Sequence, residues 1–170
     1  MMIVEELETP IGTLTLARLR DALVHVAFDG EWPRAEATLG AVYGAGSPAV
    51  PARDESETLK RVRAYFDGDL AAIDAIAVAP RGTPFRLAVW DAMRVIPPGE
   101  PISYAELARR AGRPAAVRAA GTACGANPIP IVLPCHRILR TGGGIGGYGG
   151  GRAVKRWLLA HEAAHAPARG

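Results

Sequence analysis

Eight of the ten residues from Gly142 to Gly151 are glycine, interrupted only by Ile145 and Tyr148. Each glycine inside a helix costs about 1 kcal/mol relative to alanine, and a strand made of glycines has nothing to pack. The stretch therefore reads as a loop of nearly bare amides. Just upstream stands Pro134-Cys135-His136-Arg137, at the end of the apolar run Ile129 to Leu133. That run reads as a short buried strand delivering Cys135. A thiolate is the strongest side-chain nucleophile near neutral pH, and a neighbouring histidine or cation is the usual way to form one. A nucleophile beside free N–H groups points to chemistry rather than packing.

The chain of 170 residues suits one large domain or two small ones, and its 49% apolar content is enough for a real core. No run approaches transmembrane length, and the N-terminus MMIVEELETP carries acids where a signal peptide needs bases. The expectation is a soluble, cytoplasmic protein with no membrane partner, in which Cys124 and Cys135 stay reduced. The net charge of +3 is unevenly spread. Residues 1–84 hold 8 Lys/Arg against 13 Asp/Glu, whereas residues 85–170 hold 12 against 4. A basic half that also carries the cysteine points to a polyanion partner.

The first half reads as strands. Ile3–Leu7 and Leu14–Leu19 flank the turn Thr9-Pro10-Ile11-Gly12, and Leu23–Phe28 alternates as a third strand of an antiparallel meander. Asp54–Asp67 reads as a helix with Leu59, Val62 and Phe66 on one face. Residues 69–82 lack a period and read as a linker, giving an α/β domain over 1–82 and a second domain over 83–170. In the second, Thr83-Pro84 starts a helix with the stripe Phe85, Val89, Met93 and Ile96. Ser103-Tyr104-Ala105-Glu106 is a capping box, and the helix it opens ends at Gly112. Pro114 opens another helix that runs to about Ala126. Two short helices joined by Gly112-Arg113-Pro114 look like a helix-turn-helix. A last helix runs from Arg152 to about Ala164, with Val154, Trp157, Leu158 and His161 as its stripe. The fold class is α+β: a three-stranded antiparallel sheet with helices, then a mainly helical domain with an active-site loop.

The helix from Pro114 carries only small side chains apart from Arg118. A major-groove reader needs several long polar side chains. This helix suits minor-groove insertion with Arg118 as a single probe, or close packing in a core with Arg118 at its end; both readings stand at this point.

Together these pieces resemble the O6-alkylguanine-DNA alkyltransferases. The resemblance lies in Pro134-Cys135-His136-Arg137, Gly125-Ala126-Asn127-Pro128, Ser103-Tyr104 with Leu107-Ala108, Val117-Arg118-Ala119, Gly146-Gly147-Tyr148-Gly149-Gly150-Gly151 and the last helix through Glu162. It covers about residues 83–164; the first half is similar only in layout. The resemblance implies a monomer that binds double-stranded DNA containing O6-alkylguanine and moves the alkyl group to a cysteine in one step. It implies Cys135 as acceptor, His136 as base acting through a water, Glu162 as the group that orients it, and Asn127 as the brace of the cysteine turn. Tyr104, Tyr148, Gly149 and Pro130 would meet the substrate. Arg118 would be the finger replacing the flipped nucleotide, with Arg113, Ala119 and Tyr104 also on the DNA. The N-terminal domain would be ribonuclease H-like and structural. Family members often carry serine where this chain has Gly149, so the loss puts alkyl-group range in doubt.

Physical chemistry bears on these implications. If Cys135 ends a strand, His136 points to the opposite face, so a water-linked relay replaces direct contact. The formal G-x-G-x-x-G from Gly144 to Gly149 lacks the βαβ unit and acidic residue of a nucleotide site. Cys124, Cys135 and His136 lack metal-ligand spacing, and the N-terminal half has no cysteine, so neither metal nor cofactor is expected. A Cys–His hydrolase is the enzyme alternative. A non-catalytic alkylated-DNA-binding module or a helix-turn-helix regulator is the binding alternative.

Overall fold

The computed structural model describes residues 1–44 and 49–168, which form two compact units, Met1–Arg81 and Gly82–Gly170. In the first unit β1 (Met2–Thr9), β2 (Gly12–Leu19) and β3 (Ala22–Ala27) make the expected antiparallel meander. The β1–β2 register closes at Thr9 opposite Gly12, whose φ of 102° no side chain adopts readily. Thr9 Oγ1 donates to Gly12 O at 2.6 Å and accepts from Ile11 N at 3.1 Å, which explains why Thr-Pro-Ile-Gly turns the chain here.

Among the described residues the sheet has four strands rather than three. β4 (Val50–Pro51) pairs parallel with β1, giving the order β3-β2-β1-β4. A two-residue strand containing proline carries no alternation to read. The reading also lacks α1 (Trp32–Tyr43), whose only fully buried residue is Leu39. Leu39 joins Met2, Ala17 and Val24 in one core cluster, and Trp32 and Tyr43 pack against it. α2 (Glu57–Phe66) starts on Ser56, whose Oγ accepts from Leu59 N at 3.1 Å. The same serine donates from N and Oγ to the buried Glu5 of β1, at 2.7 and 2.6 Å, and Arg18 of β2 adds a third donor at 2.9 Å. One buried carboxylate thus ties the helix start to the sheet.

Residues 69–82 are not a free linker. Leu70–Ala75 forms a 3-10 helix that buries Leu70, Ala72 and Ile73, and Ile76 follows them into the core. Leu23 N donates to Ala77 O at 2.8 Å and Ala79 N to Leu23 O at 2.9 Å, so the segment is fastened to β3. Small and apolar residues without a 3.6 or 2 period hide this in sequence.

The second unit opens on α3 (Pro84–Arg94), capped by Thr83 Oγ1, which accepts from Arg86 N at 3.3 Å. Val89, Met93 and Ile96 are buried as the stripe requires, and so is Trp90, whose Nε1 donates to Ala123 O at 2.9 Å. β5 (Ile102–Ser103) leads straight into α4 (Tyr104–Arg110), which Ser103 Oγ caps through Glu106 N at 3.1 Å. The capping box is only half formed: Arg109 and Arg110 take the Glu106 carboxylate at 2.7–2.8 Å, and it does not reach back to Ser103. α5 covers Val117–Gly125, with Pro114 in the preceding turn rather than in the helix. β6 (Ile138–Leu139) pairs parallel with β5, and α6 runs from Arg152 to His165. No helix among the described residues is long and apolar enough to cross a membrane.

Candidate active site

The segment before Cys135 is a tight turn, not the strand read from its apolar run. Ile131 sits at φ 75°, where a β-branched residue is strained, and Leu133 N donates back to Ile129 O at 2.9 Å. Asn127 makes this conformation possible. Its Oδ1 accepts from Ile129 N at 3.0 Å and its Nδ2 donates to Leu133 O at 2.7 Å, bracing both ends of the turn. Cys135 then opens a 3-10 turn, Cys135–Arg137. Burial pushes its thiol up, while a hydrogen bond with Asn127 and the charge of Lys155 pull it down.

Behind the cysteine lies a buried polar cluster. His136 Nε2 meets Glu162 Oε1 at 2.7 Å, and neither residue is exposed at all. Arg137 donates to the same carboxylate through Nε at 3.0 and 3.1 Å and Nη2 at 2.8 Å, and through Nη1 to Ile96 O at 2.5 Å. Burial pushes Glu162 up, but His136 and Arg137 outweigh it and hold the acid at about 2. For His136 burial wins against Glu162, so its pKa is lowered and the ring is neutral. An ionised carboxylate accepts only, so Nε2 carries the hydrogen and Nδ1 the lone pair. That Nδ1 is buried and has no hydrogen-bond partner among the described residues.

Cys135 lines a cleft of about 760 Å³ together with Tyr104, Arg118, Cys124, Tyr148 and Gly149. The β5–β6 pairing explains the company of Tyr104: it follows the strand that pairs with the residues just after Cys135. Tyr104 is pushed up chiefly by burial, so its hydroxyl stays protonated. Gly146, at φ 70°, presses on it; a Cβ there would lie 3.3 Å from Tyr104 Oη and 3.7 Å from Lys155 Nζ. A Cβ at Gly149 would meet no atom within 4 Å, so the cleft is open at that position. Arg118 and Ala119 are exposed on α5. Arg113 is exposed too, with its guanidinium 5.4 Å from the Phe85 ring centre. Pro130 stands apart: it is buried in the turn, bridged to Leu133, and does not line the cleft.

Two buried residues of the site escaped the sequence reading. In sequence Arg137 stands out only as part of a signature, and Lys155 not at all. The buried face of α6 is Lys155, Leu158, His161 and Glu162, one position round from the stripe read in sequence. The signal was available: Lys155, Leu158 and Glu162 stand at i, i+3 and i+7, and polar residues on that line mark a site rather than a core.

A sequence profile described as the DNA-binding domain of 6-O-methylguanine DNA methyltransferase matches residues 84–164. The chain is 41% identical over 164 residues to the methylated-DNA–protein-cysteine methyltransferase of Salmonella typhimurium, covering 93% of this chain and 94% of that protein. It is similar to the crystal structure of Mycobacterium tuberculosis O6-methylguanine methyltransferase, with a TM-score of 0.80 and 35% identity over 99% of this chain and 97% of that one. The structure of Mycobacterium tuberculosis OGT in complex with DNA superposes with a TM-score of 0.78 at 35% identity, over 98% and 96% of the two chains.

Proposed function

The chain belongs to the O6-methylguanine-DNA methyltransferase family, and from that premise we propose that it repairs duplex DNA by moving the alkyl group of O6-alkylguanine onto Cys135, once per molecule. The observation that carries the reading to residues is a buried thiol in a cleft shared with exposed Arg118, backed by a buried histidine–carboxylate pair. Cys135 gives its proton through one water to the Nδ1 lone pair of His136. The hydrogen on Nε2 stays against Glu162, so the imidazolium that forms faces a carboxylate. The sulfur attacks the alkyl carbon; the S–C bond forms as the C–O6 bond breaks, and the electron pair leaves with guanine. Tyr104 Oη and loop N–H groups stabilise the charge on the leaving base.

The reacting oxygen lies inside the stacked duplex, so the nucleotide must be extruded. We assign α4 and α5 as a helix-turn-helix in which the small face of α5 fits the minor groove and Arg118 fills the gap left by the base. Arg113 and Ala119 lie against the backbone, and Tyr104 reaches the adjacent phosphate. Tyr148 and Gly149 border the flipped base. The N-terminal unit, with β4 parallel to β1 in the order β3-β2-β1-β4, fits a ribonuclease H-like arrangement in a structural role. The protein acts as a monomer. A thioether is a poor leaving group, and burial holds Cys124, the other thiol of the cleft, at about 12, so it stays protonated and does not take the alkyl group back.

The test is incubation with a duplex carrying O6-methylguanine, followed by mass spectrometry of the tryptic peptide spanning residues 119–137. That peptide holds both cysteines, so fragment ions must place the methyl group. One methyl on Cys135 is expected, and none in Cys135→Ala. Unmodified peptide with the lesions intact overturns the reading.

A further inference from the structure

Of the 20 basic side chains, 18 are arginine; the lysines are Lys60 and Lys155. Lys60 is exposed, and Lys155 is 0% exposed on the buried face of α6. Its Nζ donates to Ile138 O at 2.6 Å and reaches Gly147 O at 3.5 Å. It therefore links the residue after the cysteine turn to the glycine loop. An ammonium has three N–H donors, and two carbonyls leave it without a compensating charge. Among the described residues, the acids of this unit do not supply one. Glu162 is shared between Arg137 and His136, Glu106 between Arg109 and Arg110, and Asp91 and Glu100 are exposed. A buried cation without a counter-ion gives up its proton or finds an anion. Lysine, unlike arginine, does either readily.

We propose that the Lys155 ammonium is the counter-ion of the Cys135 thiolate, so that Lys155 is the positioning residue that makes the buried thiol ionisable, and that alkylation of Cys135 strips Lys155 of this partner. The inference deepens the alkyl-transfer reading above. Burial alone drives both groups to their neutral forms, up for the thiol and down for the lysine. Each charge opposes that effect on the other, and Cys135 is the foremost group raising Lys155. Among the described residues, the remaining groups around them supply no rival anion. Tyr104 and Cys124 are held protonated, His136 is neutral, Arg137 is balanced by Glu162, Tyr148 is a phenol, and Arg140 is an exposed cation that disfavours the lysine charge. The proton that leaves Cys135 goes to His136 or to solvent, since Lys155 already carries its own.

With two lysines, the side-chain carbons next to nitrogen give two NMR signals, and Lys60 serves as an internal reference. Titrate 13C-lysine-labelled wild-type protein before and after methylation of Cys135 with iodomethane. The Lys155 midpoint should fall by at least about one pH unit on methylation, a tenfold change in its protonation constant, while Lys60 does not move. An unchanged Lys155 midpoint overturns the proposal. In Lys155→Met, the pH midpoint of iodoacetamide alkylation at Cys135 should rise by about one unit, making the reaction roughly tenfold slower below both midpoints. Even slowing at every pH with the same midpoint means that Lys155 only holds the loop, and the proposal fails. If the variant does not fold, the wild-type titration decides. Neither experiment contains DNA, so the ion pair and the repair reading can fail separately.

Discussion

At the residue scale, Asn127 and Gly146 bear on Cys135 without being nucleophiles. Asn127 bonds Ile129 N and Leu133 O across a turn strained at Ile131. Asn127→Ala leaves those groups short of partners, and should lower stability by about 1–3 kcal/mol in urea unfolding. It should also slow iodoacetamide alkylation of Cys135, because the thiol loses a hydrogen bond. An undiminished alkylation rate would remove Asn127 from the activation of the thiol. Gly146 is needed for its φ of 70° and for the room it leaves Tyr104 and Lys155. Gly146→Ala should cost about 1–2 kcal/mol and set a methyl group against Tyr104 Oη in the cleft. Benzyl transfer should then suffer more than methyl transfer, measured as second-order rates with the two modified duplexes.

At the element scale, α4 and α5 carry the proposed contact with DNA and stand on identifiable supports. Ser103 caps α4 and also belongs to β5, which pairs with the strand after Cys135. Ser103→Ala should lower the melting temperature by an amount equivalent to about 1 kcal/mol. Trp90 anchors α5 through Ala123 O, leaving Arg118 on the exposed side. Arg118→Ala should slow repair in duplex DNA far more than reaction with the free base, since only the duplex has a gap to fill. Equal slowing of both would refute the finger role.

At the scale of the whole molecule, stability should fall with acid in two stages. Burial lowers His25 in the first unit to about 4, and it lowers His136 in the second. Between about pH 6.5 and about 4 the unfolded chain takes up a proton that folded His25 refuses, so stability is lost as pH falls, and the lowered His136 acts in the same direction below about 6.5. Glu162 acts in the same direction at lower pH. Its folded value of about 2 lies below the unfolded value of about 4.5, so its contribution is complete above about 4.5 and lost as pH falls toward 2. His25→Gln should flatten the first stage of the melting temperature against pH and leave the second. A flat wild-type profile from pH 7 to 4 would contradict this assignment.

Much of the molecule was legible because it is locally encoded. Thr9-Pro10-Ile11-Gly12 turns the meander through its own hydrogen bonds, Thr83 and Ser103 cap the helices that follow them, and the glycine run stays irregular between Cys135 and α6. The composition of Pro134-Cys135-His136-Arg137 with its flanks pointed to the family by itself. What the tertiary structure decided depends on partners far apart in the chain. Arg137 and His136 meet a carboxylate at position 162, and Glu5 holds Ser56. β4 pairs with β1, and α6 turns Lys155 inward instead of Val154. The apolar run before Cys135 became a turn because Asn127 clamps it, a contact outweighing strand propensity. A one-dimensional pattern records which faces are apolar and where the backbone is free to turn. Which buried charge meets which is settled only when the low dielectric of the folded interior makes an unpaired charge too costly to keep.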